Sequence, residues 1–276
     1  MVEILQVIED AFHLYKKKWK TVITAFLVLL AIGILFGLIS SGLNLSANAL
    51  CKAKPAQQGV VDFLLCVTPQ ALNVGLGIIE GLIAIVITLA VIKPLKEIAD
   101  KRPVSDWTAN FTPQLANAVK VILFRFAVML LVIAPVVAVA LLNLPIILTA
   151  KTTGDLTGLL LFGNLFLLLI VMAVMILISA IINFFLMFLE IEIVLSNAGL
   201  INAVKKSASI VRNNLGNSLL FVIAWFVLNF VLDIGVIFVA CTCCLLPLAI
   251  LIPPLIIVPI ELLSKVILWK RMKKKK

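Results

Sequence analysis

Six stretches of continuously apolar sequence, each close to the length that crosses a bilayer, constrain this chain more than any other feature. They run at about 21–41, 74–95, 119–142, 164–190, 217–240 and 244–264. A hydrocarbon core of about 30 Å is crossed by about 20 helical residues. The runs do not alternate polar with apolar residues, and they are about twice the length of a barrel strand, so helices are expected. Composition agrees. The chain is 63% hydrophobic and 13% charged, where soluble domains are nearer a half and a quarter. A mean hydropathy of +1.25 leaves too few polar residues to cover a water-facing surface. The first run follows a charged lead and has no small-x-small cleavage site, so it reads as a span and not as a removable signal. The expected fold is all-α: one polytopic membrane domain over 1–276, a helical bundle of six spans with no soluble domain.

Charge placement predicts the orientation. Twenty of the 23 basic residues fall before span 1, between spans 2 and 3, between spans 4 and 5, or after span 6. Only Lys52, Lys54 and Lys151 fall on the other side. By the positive-inside rule both termini are expected in the cytoplasm, with loops near 42–73 and 143–163 outside. The cluster at 265–276 is expected as a basic tail. Anionic headgroups are nearer partners for these cations than nucleic acid.

Two charged lead segments align without gaps, 5–23 with 201–219. Leu5, Ile8, Phe12, Tyr15 and Trp19 match Ile201, Val204, Ala208, Val211 and Leu215. Steps of three and four put each set on one helical face. The remaining faces carry Lys16 and Lys17 in one segment, and Lys205, Lys206 and Arg212 in the other. Amphipathic helices in the headgroup plane are therefore expected at about 3–20 and 198–215. Asn117-Ala118-Val119-Lys120 repeats as Asn202-Ala203-Val204-Lys205. The plan predicted is three units, each an interfacial helix followed by two spans.

One region carries a resemblance. Glu190-Ile191-Glu192-Ile193-Val194-Leu195 is followed by Gly199-Leu200-Ile201-Asn202-Ala203-Val204-Lys205-Lys206-Ser207 and then by Arg212-Asn213-Asn214. This pattern resembles a group of six-span prokaryotic membrane proteins of unassigned function. That group includes the membrane domain fused to some glycerophosphoryl diester phosphodiesterases. The likeness is sharp over about 190–230 and architectural elsewhere. It implies a fold and a membrane role without hydrolysis, because the catalytic barrel of those fused enzymes has no counterpart here.

Little in the sequence reads as chemistry. The single histidine, His13, lies on a polar face and reads as solvated. No phosphate loop, nucleophile elbow or HExxH occurs, so neither an enzyme nor a cofactor or metal site is expected. Carboxylates at membrane depth carry more weight, since an ionised one there needs a partner or water. They are Glu80 and Asp233 towards the outer side, and Glu190, Glu192 and Glu261 towards the inner side. Lys205, Lys206 and Arg125 are candidate partners for Glu190 and Glu192. Pro247, Pro253, Pro254 and Pro259 each remove a backbone donor from span 6 and predict a kinked or partly unwound helix beside an interior space. Cys51, Cys66, Cys241, Cys243 and Cys244 share the predicted outer side, where a Cys51–Cys66 disulfide is expected. The leading functional reading is non-enzymatic handling or sensing of lipid or another amphiphile at the cytoplasmic leaflet. Headgroups would sit on Lys16, Lys17, Lys205, Lys206 and Arg212, with a protein partner or second copy left open. The alternatives are a transporter or channel using Glu80 and Asp233, and a structural or accessory subunit.

Overall fold

The computed structural model describes residues 3–52, 60–149, 156–241 and 251–274. These residues form α1 (Ile4–Lys52), α2 (Val60–Ala99), α3 (Phe111–Thr149), α4 (Leu156–Phe185), α5 (Leu189–Ser196), α6 (Leu200–Asn213), α7 (Leu215–Cys241) and α8 (Val258–Lys274). Five stretches are long and apolar enough to span: Val22–Leu45, Gly75–Ala99, Thr108–Val139, Phe166–Ser196 and Leu215–Val236. They correspond to the first five expected spans. The sixth, about 244–264, lies partly outside the described residues. Its described part is helical, with a π-helical turn over Pro253–Ile257.

Local chemistry explains where the helices break. α1 leaves helical geometry at Lys18 (φ −123°, ψ 16°), inside the run of lysines that separates its amphipathic lead from its span. The fourth span breaks between α4 and α5, and the serine of another helix fills the gap. Ser207 Oγ donates to the Phe185 carbonyl at 2.8 Å and accepts from the Phe188 N–H at 3.3 Å. Two backbone groups freed by the break are thereby satisfied. α2 ends with Lys101 in the left-handed region (φ 56°). The Arg102 N–H reaches the Glu97 carbonyl and the Lys101 N–H reaches that of Ile98. This is a Schellman ending with lysine where glycine is favoured.

Both described terminal helices meet at one end of the bundle, called here the terminal end. Arg271 of α8 pairs with Asp10 of α1, and Lys270 pairs with Asp100 just past α2. The core is concentrated there. Ile4, Val7, Ala11, Val22, Phe26, Leu89, Ile92, Leu95, Phe188, Ile191, Val211, Leu263, Val266 and Leu268 are buried in one cluster. By contrast, no described side chain is buried between residues 27 and 85, 122 and 187, or 226 and 256.

Three expectations are revised. The stretch 42–73 is not mainly loop: α1 continues to Lys52 and α2 begins at Val60. Residues 265–274 are not a free tail. They continue α8, and Val266, Ile267, Leu268, Trp269 and Met272 are buried. In the amphipathic helices, the stripe read from sequence is buried only in part. Its members Tyr15 and Val211 are buried, but so are Ile4, Val7 and Ala11 in α1 and Ala203, Ser207 and Ile210 in α6, one position earlier, while Leu5 (79%) and Ile201 (71%) are exposed. Two apolar stripes lie side by side on each helix. Hydropathy sees both but does not say which one meets protein.

Candidate functional site: an apolar groove beside an ion-paired collar

Residues 4–17 of α1 lie beside α7 and the proline-broken segment that leads into α8. The stripe they leave uncovered forms one wall of a groove. Leu5, Ile8 and Phe12 face Trp225, Leu228 and Leu232 of α7, and Ile252, Ile256, Ile257 and Ile260 close it. The space is about 510 Å³, and Glu9 is the one charged residue in its lining. Trp225 is buried, and its indole N–H has no partner among the described residues.

The prolines account for the third wall. Pro259 has no N–H to give to the carbonyl four residues earlier, that of Leu255. The Tyr15 hydroxyl donates to that carbonyl instead. Burial pushes the Tyr15 phenol pKa up, so it stays a donor. The chain has a single tyrosine, and it ties the amphipathic lead to the broken helix at the groove's edge.

Around this groove the terminal end is held by a collar of ion pairs centred on α8. Glu192 is fully buried. It accepts from Trp269 Nε1 at 2.7 Å and from Ser196 Oγ at 2.6 Å, and Lys273 Nζ lies 3.3 Å away. The Lys273 ammonium also sits 4.5 Å from the Trp269 ring centroid, within cation–π range. Lys270 bonds Asp100 and the Ala99 carbonyl, the latter at 3.1 Å. The hydrogen bond from Lys270 to Asp100 holds that carboxyl below the usual carboxylate range. Arg271 bonds Asp10 and, at 3.2 Å, Gln6 Oε1.

The other predicted positions fall as follows. Glu190 pairs with Arg125, as one of its candidate partners. Glu192 pairs with Lys273 and with none of Lys205, Lys206 or Arg125. Glu261 pairs with Lys265 on its own helix at 2.6 Å. Glu190, Arg125, Lys265 and Asn183 line a space of about 470 Å³ between α3, α4 and α8. Glu80 is half-buried over Gly33 of α1, where an added Cβ would stand 3.5 Å from its Oε1. Asp233 is exposed, and neither of these two carboxylates lines the groove or the space beside Arg125. Lys16, Lys17, Lys205, Lys206 and Arg212 are exposed. Among the described residues they form no ion pair. Lys206 also borders a space of about 220 Å³ next to Glu192 and Lys273. The side chains of Cys51 and Cys66, and all of Cys243 and Cys244, lie outside the described residues.

Sequence reasoning missed Tyr15, Ser207, Trp269 and Lys273. The proline run was the one signal for Tyr15, since a freed carbonyl at mid-helix calls for a donor from elsewhere. Nothing local marks the other three, whose partners are distant along the chain.

No curated protein and no solved structure matches the chain. A family match covers nearly its whole length, and the apolar spans make it a multi-span membrane protein. From residue 19 to residue 268 the chain matches, and it belongs to, the family described as Domain of unknown function (DUF7847).

Proposed function

We propose that the protein binds the acyl chain of a membrane lipid, or a similar amphiphile, in the groove between residues 4–17, α7 and the proline-broken segment. The observation that carries this reading is the groove itself. Its volume is within the roughly 300–1,000 Å³ of ordinary ligand sites, and its lining is apolar apart from Glu9. An acyl chain that leaves the bilayer for such a space gains no hydrophobic transfer energy, so its hold rests on packing against the groove walls. The uncovered stripe beside it, with Leu5 and Phe12 exposed, suits contact with acyl chains. The unpartnered indole N–H of Trp225 offers one donor to an ester or similar acceptor.

The same reading sets the protein in the inner membrane with both termini in the cytoplasm. Its support is that the start of α1, the end of α8, the segment 101–110 and α6 gather at one end together with most of the described basic residues. Lys16, Lys17, Lys205, Lys206 and Arg212 then hold anionic headgroups, each worth about 1 kcal/mol near the surface. The resemblance over 190–230 supports a membrane role. Buried positions set at matching offsets in residues 4–17 and α6 favour descent from repeated units. On this reading the protein acts by binding and not by catalysis.

Native mass spectrometry of protein released gently from its membrane tests the proposal. Wild type is expected to carry one lipid mass, and Ile256→Trp, which fills the groove, is expected to lose it. Equal lipid occupancy in the two proteins, with both folded, would overturn the reading.

A further inference from the structure

A second cavity lies on the opposite flank of residues 4–17. It is lined by Asp10, His13 and Leu14 of α1, by Ala99 and Lys101 at the end of α2, and by Ile267, Lys270, Arg271 and Lys274 of α8. Its volume is about 420 Å³. Four full cations stand against two carboxylates, Asp10 in the lining and Asp100 behind Lys270. Two positive charges remain in excess within this set, and His13 in the lining faces Glu9 at 3.7 Å. Lys101 and Lys274 are exposed and have no ion-pair partner among the described residues. Lys101 also occupies the left-handed position at the end of α2, where its side chain works against backbone preference.

We propose that this cavity binds a phosphate monoester group at the terminal end of the bundle. Three features select that class. The excess of two charges matches a dianion. Arg271 and the lysines supply the planar and point-charge donors that phosphate oxygens take. The space exceeds a bare phosphate, and Leu14, Ala99 and Ile267 give it an apolar side for an organic remainder. Lys270 and Arg271 are already oriented by Asp100, Ala99 and Asp10, so little ordering is left for binding to impose. A zwitterionic phosphodiester brings no net charge and fits less well. The site is separate from the apolar groove and does not depend on it. A headgroup monoester in the membrane and a free phosphate in solution share this chemistry, and the two are separable by experiment.

Titrations of the full-length protein in neutral detergent, followed by calorimetry, use three probes: dioctanoyl phosphatidic acid, inorganic phosphate and dioctanoyl phosphatidylcholine. Phosphatidic acid is expected to bind at least tenfold more tightly than phosphatidylcholine. The Lys101→Gly, Lys274→Gln double variant is expected to lose that tenfold. It leaves the Lys270–Asp100 and Arg271–Asp10 pairs in place, and its thermal transition reports that the fold is kept. Competition by millimolar phosphate identifies a soluble source. Binding of phosphatidic acid without such competition identifies a membrane headgroup. Equal binding of the two lipids, no binding of either anion, or an unchanged affinity in the folded double variant overturns the proposal. Ile256→Trp is expected to leave the phosphatidic acid preference intact, which separates this result from any failure of the groove reading.

Discussion

The two ends of the bundle are built by different rules. At the terminal end, helices from every part of the described chain bury side chains against each other, and Glu192, Ser207, Tyr15 and the cations of α8 find named partners. Towards the far end the same helices run on for many residues with none of their described side chains buried. The fourth span is the extreme case, with no buried residue in its most apolar stretch. In water such helices would collapse together. In lipid they need not, because acyl chains are as good a solvent for leucine as another leucine is. What must be brought together is whatever lipid cannot solvate: broken backbone, carboxylates and ammonium groups. The packed core is at the end where most of those groups are, while Glu80 and Asp233 stand outside it.

Substitutions can break this contrast. The largest loss is expected from Leu263→Ala in the buried core, at about 2–5 kcal/mol, seen as a large drop in the thermal transition of detergent-solubilised protein. Glu192→Ala follows: it leaves the buried Trp269 N–H without its acceptor and the exposed Lys273 without its partner, at about 1–3 kcal/mol. Tyr15→Phe comes next. It leaves the Leu255 carbonyl without its donor, and about 1–3 kcal/mol should be lost, with exchange of backbone amides rising first around 253–260. Lys101→Gly should move stability the other way by about 1 kcal/mol, because glycine adopts the left-handed position freely. Asp100 gives a smaller effect that depends on pH. Its folded pKa lies below the unfolded value, so its contribution is present above about pH 4 and fades as the pH falls through the folded value. Asp100→Asn should flatten that acid limb and cost no more than about 1 kcal/mol at neutral pH. At the far end, Leu38→Ala should change stability by less than about 0.5 kcal/mol. A loss there as large as that of Leu263→Ala would mean that the far halves are covered by something beyond the chain described.

The apolar runs made the spans legible, and the change from interfacial helix to span expected near residue 20 falls close to the break at Lys18. The amphipathic helices were legible as elements but not in rotation. Leu5 and Ile4 are equally apolar, and only the neighbouring helices decide that Ile4 is buried and Leu5 is not. The basic cluster after span 6 misled for a different reason. Lys270, Arg271 and Lys273 find their carboxylates at Asp100, Asp10 and Glu192, far away in sequence, so a composition rule sees only uncompensated charge. The groove needed the fold as well. Its walls come from residues 5–12, 225–232 and 252–260, three segments that no local pattern connects.

The order in which a chain is made gives α8 one more meaning. Residues 258–274 emerge from the ribosome after every other described helix. Until they do, Glu192 lacks Trp269 and Lys273, Asp100 lacks Lys270, and Asp10 lacks Arg271. The spans can enter the bilayer one by one, each solvated by lipid, while the end that holds them remains unlatched. α8 is the closing clasp of biogenesis, so a nascent chain stalled short of it would be inserted but not assembled.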